Sequence, residues 1–344
     1  MAKIISTSLT DGGTYTTLPG STGDFNYDGA TASDTVFGQS FESTQPTIIS
    51  TTLSANAYYK GYAGYVATFN KSGTTTAMTT EAMTLVSGKT YKITAATKNV
   101  WDHTATFTVF DNAVDHTADV ISIDHLFGRV TFSGSYTVTG AVTVTGSYLP
   151  MTSVGTAREF SLTMNTEAVD TTDFATASAN GGFSTFVAGL RTVSLDASGF
   201  FATANGFKTL LTGRSELVVE INPDGADLSA ARGFFRATST GQSGDVGGNE
   251  DESITFELSV PSDSDVVTPF KWLHDSSTTL NTALQNVLTA WDGQDLLYAK
   301  YLHDGTNGWK VNGVVTDCSL SGSVDGINEF SVALALSGAP VVVP

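Results

Sequence analysis

The chain has 344 residues, of which 40% are hydrophobic and only 15% charged, and its formal net charge is -18. That length implies two or three domains with packed cores, and the composition excludes a disordered polymer. The negative charge repels phosphate, which argues against sequence-reading or tight nucleic-acid binding and leaves room for DNA to pass without sticking.

A single cysteine, Cys318, excludes an intramolecular disulfide. The segment Met1-Ala-Lys-Ile-Ile-Ser6 has no apolar run of signal-peptide length, and no stretch could span a membrane as a helix. Assembly in the cytoplasm is therefore expected.

Residues 1 to 22 are rich in Thr, Gly and Ser and read as an arm or an edge strand. In Gly23-Asp-Phe-Asn-Tyr-Asp-Gly29, Asp24, Asn26 and Asp28 place oxygen ligands at alternate positions with glycine sixth, like the opening of a calcium loop. Thr35 stands where the twelfth-position Glu belongs, and the alternation of Phe25 and Tyr27 with polar residues suits a strand equally. A loop from Thr31 to Pro46 carries Phe37 and Phe41, and Ile48 to Tyr59 reads as a strand.

The segment 72 to 150 reads as a small all-β module. It opens on a polar run, Lys71 to Thr80. Strands are expected at Lys89–Thr97, Thr104–Phe110, Val120–Ile123, Gly128–Ser133 and Ala141–Tyr148, with turns at Asp111-Asn112 and Ser133-Gly134.

The remainder repeats itself. Leu280, Leu284, Val287, Leu288 and Trp291 form one face of a helix with Gly293 as its stop signal. A strand from Asp295, a turn at His303-Asp-Gly305 and an alternating strand over Phe330, Val332, Leu334 and Leu336 follow. Eighty residues earlier, Gly213, Gly225 and Gly233 fall opposite Gly293, Gly305 and Gly313, and a helical period over Phe200, Ala204, Phe207 and Leu211 precedes them. A six-residue slip then sets Ile254 to Val260 against Asn328 to Leu334. The front parts match too: Leu53-Ser-Ala-Asn-Ala-Tyr-Tyr59 resembles Leu195-Asp-Ala-Ser-Gly-Phe-Phe201, and Phe41 falls opposite Phe183. This is a duplicated domain. One copy runs continuously from 152 to 262. The other is expected to be discontinuous, 1 to 70 joined with 266 to 344, with 72 to 150 as a further insertion. The fold class is mostly β with short α-helices: two β-sandwich or half-barrel domains plus the small β-module.

No chemistry-bearing constellation stands out. Asp102, Asp115 and Asp124 each precede a histidine, His103, His116 and His125, but no metal-ligand spacing, phosphate loop or nucleophile elbow occurs. No enzymatic activity and no cofactor are expected. Five aromatic residues in long Gly/Ser/Thr segments, Phe37, Phe41, Phe174, Phe183 and Phe186, either fold back on their own domain or anchor neighbouring subunits.

Taken together, the front strand, long loop, return strand, amphipathic helix, Asp-Gly hairpin and final alternating strand resemble the major tail tube protein of long, non-contractile-tailed bacteriophages. The carriers are Phe160–Asp173, Leu190–Phe201, Thr203–Leu211, Leu217–Asn222 with Pro223-Asp-Gly225, and Ile254–Val260, echoed by Phe25–Asp34, Ile48–Tyr59, Leu280–Trp291, Leu296–Tyr301 and Phe330–Leu336. The resemblance implies a virion protein of the tail, assembled in the host cytoplasm. A duplicated member implies homotrimeric, pseudo-sixfold rings that stack into a tube. Tape-measure protein would lie inside it, terminator and distal tail proteins at its ends, and DNA would pass through the lumen without specific binding. A second reading is a receptor- or glycan-binding adhesin, with Trp101, Tyr136 and Tyr148 of the inserted module facing the glycan.

The discontinuous domain makes a prediction. A fragment of residues 1 to 268 should lose structure in its N-terminal region as well, read by circular dichroism and limited proteolysis. A protease-resistant N-terminal region in that fragment would contradict it.

Overall fold

The computed structural model describes residues 4–8, 15–18, 20–34, 41, 43–58, 68–156, 159–199, 211–214, 216–222, 229–243, 251–260, 267–274, 282–323 and 328–344. They fall into two compact units: Met1–Gly64 with Glu159–Leu195 and Ser276–Pro344, and Tyr65–Arg158 with Asp196–Asp275. Antiparallel strands dominate both, and the described α-helix is short, chiefly Phe174–Ala179 and Thr282–Gly293. The loop expected from Thr31 to Pro46 is shorter than that, because its two strands continue to Ser33 and restart at Thr44, with Thr31 opposite Pro46. The Thr203–Leu211 helix and the Pro223-Asp-Gly225 hairpin fall wholly or largely outside the described residues.

The spine of the first unit is the strand Gly308–Ser323. Along one edge it pairs first with Leu297–Leu302 and then with Glu159–Asp170. Along the other it pairs with Val341–Val343 and Glu329–Leu336. Glu329–Leu336 in turn pairs with Thr44–Tyr58, and that strand with Gly20–Ser33. Side chains on a strand alternate between faces, so this ladder sorts them into two surfaces. Phe160, Leu162, Met164, Cys318, Leu320, Phe330, Val332, Leu334, Leu53 and Ala55 are all buried on one of them. Each large apolar side chain so buried contributes roughly 1.5–3 kcal/mol relative to exposure.

The helix Thr282–Gly293 buries Ala283, Leu284, Val287, Leu288, Ala290 and Trp291 on one face, as its period predicts. Gly293 lies inside it. The left-handed residue that ends it is Gln294, at φ 56°. The terminal carbonyls of Trp291 and Asp292 accept from the Arg191 guanidinium, which also lies over the Trp291 ring at 4.9 Å. A cation there suits both the last carbonyls of the helix and its dipole.

In the second unit the spine is Ser229–Ser243. One edge pairs with Leu217–Asn222, the opposite edge with Phe270–His274 and Asp251–Leu258. Leu217–Asn222 also pairs with Thr68–Ser72, which pairs with Met151–Thr156. The segment between them is a seven-stranded sheet ordered Val120–Asp124, Arg129–Phe132, Thr90–Ile93, Thr76–Ser87, Val142–Tyr148, Thr108–Asp111 and Val114–Asp115. Met78, Ile93, Trp101, Phe107, Val109, Val130, Phe132 and Val144 form its core. Three expectations are corrected here. The polar run at 71–80 turns into the strand Thr76–Ser87, and the strand expected at 89–97 ends at Ile93, before a 3-10 turn at Ala96–Lys98. The strand expected from Thr104 begins only at Thr108, because the Thr104 N–H and hydroxyl both donate to Asp102 in a side-chain turn.

The module is locked to the spine by charge. Arg232 and Glu220 form a buried ion pair, Arg232 donates at 2.8 Å to the Leu126 carbonyl, and its guanidinium lies 4.6 Å from the Phe127 ring centre. Lys271 reaches Asp124 at 2.9 Å. Within the module, burial alone would raise the Asp111 carboxyl. Hydrogen bonds from Thr139, Tyr136 and Gly140 outweigh that and bring it down to about 2.

The two spines match residue for residue. Phe235 pairs with Leu258 where Gly313 pairs with Leu336, a shift of 78 in both strands (235 to 313, 258 to 336). Each ladder then skips one residue of the spine, Thr238 in one and Thr316 in the other, again 78 apart. The six-residue slip expected from the apolar pattern is thereby replaced: Ile254, Phe256 and Leu258 correspond to Val332, Leu334 and Leu336. An alternating pattern repeats every two residues, so by itself it cannot distinguish registers that differ by two or four. The opposed glycines Gly233 and Gly313 are likewise not equivalent. Gly313 admits the Ala335 carbonyl, 2.4 Å from where a Cβ would sit, whereas Gly233 makes room for the Phe235 and Phe270 rings.

Breaking the Arg232 lock by Glu220→Ala should cost about 3–5 kcal/mol, because it strands a buried charge. Urea unfolding checks it, and a loss under 1 kcal/mol would show that the pair is not the lock described.

Candidate functional site

The surface that stands out lies on the polar side of the first unit's ladder. Facing residues run across five strands in rows: Thr163, Ser319, Ser331, Asn56 and Thr22 in one, and Asn165, Asp317, Ala333, Ser54 and Asp24 in the next. Ser161, Ser321 and Glu329 flank them on one side, and Thr52 with Asn26 and Ser50 with Asp28 on the other. No lysine or arginine occurs in 159–165, 317–323, 329–335, 51–58 or 20–28. The face is hydroxyls and amides punctuated by Asp24, Asp28, Asp317 and Glu329. Partial burial raises the Asp317 carboxyl above the ordinary range, and hydrogen bonds from Ser331 and Ser319 offset part of that effect. The second unit shows a similar polar face in Ser239, Ser253, Thr255 and Glu257, with Asp196 accepting from Thr255 at 2.6 Å. It also carries Arg236, paired across the ladder with Glu257.

This face includes the three calcium candidates and corrects that reading. Asp24, Asn26 and Asp28 sit on the strand Gly20–Ser33, exposed, on one side of it. At about 3.3 Å per residue, Asp24 and Asp28 lie roughly 13 Å apart and cannot converge on one ion. No cluster of three metal-ligating side chains occurs among the described residues.

The aromatic candidates separate. Phe41 is 87% exposed. Phe183 turns inward: it forms a bridge to Ile49, and its ring meets Tyr27 at 6.4 Å. Phe186 is half-buried, with its N–H on the Ser337 hydroxyl. Phe174 opens the short helix, behind the Asp173 capping box, and Phe37 lies outside the described residues. The strands that lead to Phe41 form a hairpin arm, because Thr44–Ser50 and Asp28–Ser33 run on past the end of the Glu329–Leu336 pairing at Thr51. Backbone bonds between Ile49 and residues Gly182 and Ser184 tie the arm to its base, beside an open groove of about 560 Å³ lined by Ile48, Ala177 and Gly182.

The glycan candidates are occupied within the module. Trp101 is 0% exposed and stacks on Phe107, so it is core and cannot meet a glycan. The Tyr136 hydroxyl donates to Asp111, and Tyr148 lies under the Lys98 ammonium. The Asp-His pairs do not come together either. Asp102 and Asp115 each accept from the threonine two residues on, and Asp124 caps the Phe127 N–H and holds Lys271. His103 bonds Glu216 at 2.7 Å in a cavity of about 480 Å³ that also includes Lys71 and Asp102. There the Ser259 hydroxyl donates to Glu216 at 2.6 Å.

Sequence reasoning missed Asp317, Glu329, Ser319 and Ser331 as members of one surface. The signal was there, in period-two polar positions on strands devoid of basic residues, but joining them needs the cross-strand register.

The placement of the two phenylalanines predicts a split. Phe41→Glu should leave unfolding midpoints unchanged while abolishing any self-assembly, whereas Phe183→Glu should lower the midpoint as well. Equal thermal shifts for the two variants would contradict this, as would unimpaired assembly of Phe41→Glu.

No family model matches the chain, and no curated protein matches it. Among solved structures, a chain from the virion of a native gene transfer agent particle is similar, at 19% identity and a TM-score of 0.28, over 31% of this chain and 82% of that one. A likeness of that extent fixes neither fold nor function.

Proposed function

We propose that this chain is a structural virion protein, the major tube subunit of a phage-type tail. In this reading it polymerises as stacked homotrimeric, pseudo-hexameric rings around a channel for genome passage. The observation that carries the reading is the broad polar face without a single lysine or arginine, backed by an apolar core and built on a ladder that recurs 78 residues away. A channel for DNA needs a wall that wets but does not grip. Carboxylates among hydroxyls repel phosphate; the first unit's rows carry no cation to hold it, and in the second unit Arg236 faces Glu257 across the ladder. The repeat supplies two equivalent ladders per chain, so three chains give six. The two copies are read as 1–70 with 266–344 and 152–262, and the module at 72–150 as outward decoration. The exposed Phe41 arm suits contact with neighbouring subunits, and tail proteins at the ends and inside the tube would be its other partners. The adhesin reading is the weaker, since Trp101 is core.

Electron microscopy of the purified protein tests this. Stacked rings of three subunits with an open channel are expected. A chain that stays monomeric at high concentration and in the presence of tail-initiating proteins would overturn the reading.

A further inference from the structure

We infer that two open strand edges of this chain pair with each other between copies, the edge of Gly20–Ser33 on one copy with Ser239–Ser243 on the next. This deepens the proposed function by naming the surface that would close its ring.

On the spine Gly308–Ser323, the edge that pairs with Leu297–Leu302 is continued, over Asp317–Ser323, by Glu159–Asn165. On the equivalent spine Ser229–Ser243, the same edge pairs with Leu217–Asn222 as far as Phe235. Beyond it, among the described residues, no strand lies along Ser239–Ser243 on that edge. The other half of the missing pair is also present. Gly20–Ser33 corresponds to Glu159–Asp170, since each precedes in the chain a long strand, Thr44–Tyr58 in one case and Phe186–Gly199 in the other, that carries the matching runs Leu53-Ser-Ala55 and Leu195-Asp-Ala197. The register supports the match: Ser54 faces Ala333, and 142 residues after Ser54 comes Asp196, bonded to Thr255, which is 78 before Ala333. Yet among the described residues no strand other than Thr44–Tyr58 pairs with Gly20–Ser33, and over residues 20–28 the one further backbone contact given is the Gly23 carbonyl accepting from the Tyr301 hydroxyl.

The chain therefore makes one strand pair internally and holds the two unmatched halves of a second. Open edges that are meant to stay open are protected by lysine or proline. Gly20-Ser-Thr-Gly-Asp-Phe-Asn-Tyr-Asp28 and Ser239-Thr-Gly-Gln-Ser243 contain neither. Because the two edges differ, the contact is head-to-tail and closes into a ring where the rotation permits. It would also carry the polar face from one copy to the next, since Asp24, Asn26 and Asp28 and the exposed Ser239 stand on the polar sides of their ladders.

Cysteine cross-linking tests it on the full chain. Ser239→Cys and, separately, Ser243→Cys are each combined with Asp24→Cys, Asn26→Cys or Asp28→Cys. The native Cys318 is fully buried and does not compete. Mild oxidation should give covalent trimers on a denaturing gel for the pairs in register. Antiparallel pairing further requires the best partner of position 243 to lie four residues before the best partner of 239. Single-cysteine variants should stay uncross-linked. Micrographs of the same samples separate the two claims. Tubes without cross-links in any combination would overturn this edge pairing and leave the tube reading standing. Cross-links without tubes would support the pairing alone. Cross-links that ignore the four-residue rule would overturn it.

Discussion

A strand needs a hydrogen-bond partner along each edge, and the rest of this fold follows from how the two long spines meet that need. Gly308–Ser323 is 16 residues long, too long for any one neighbour, so four other strands share its two edges. Those partners come from the middle and the end of the chain, and the next strand outward, Thr44–Tyr58, comes from its beginning. Residues hundreds of positions apart are thus forced into one sheet.

The same ladder explains the surface. A period of two sends alternate residues to opposite faces, so a sheet with a dense apolar core must present everything else on the other side. In the rows from Thr163 to Asp28 this sequence puts carboxylates among hydroxyls, without lysine or arginine. The one-residue bulges at Thr316 and Thr238 shift the alternation midway along each spine. They keep Cys318 and Leu320 buried, and Asp317 and Ser319 on the polar side, after Val314 and Val315 have both been buried.

Much of this was legible in the sequence and some was not, for identifiable reasons. The helix at Leu284, Val287, Leu288 and Trp291 was readable because a 3.6-residue apolar period has no strand counterpart. The duplication was readable from its turns and apolar runs, but its register was not. Shifting one alternating strand by two or four residues against another costs nothing in pattern, and only the matched bulges settle the offset at 78. Asp24, Asn26 and Asp28 illustrate the opposite error: spacing that fits a metal loop also fits a strand, and the flanking Phe25 and Tyr27 decide for the strand. Trp101 was misplaced as a glycan contact because an aromatic near a turn looks the same in sequence whether it points in or out. Its stacking on Phe107 comes from long-range packing.

The central claim is that the cation-free face lines a channel. A cryo-electron microscopy reconstruction of the assembled protein, resolved well enough to trace strands, tests it most directly. The account predicts Asp24, Asp28, Asp317 and Glu329 on the channel wall. A map that places those four side chains on the outer surface, or against a neighbouring subunit, would contradict it.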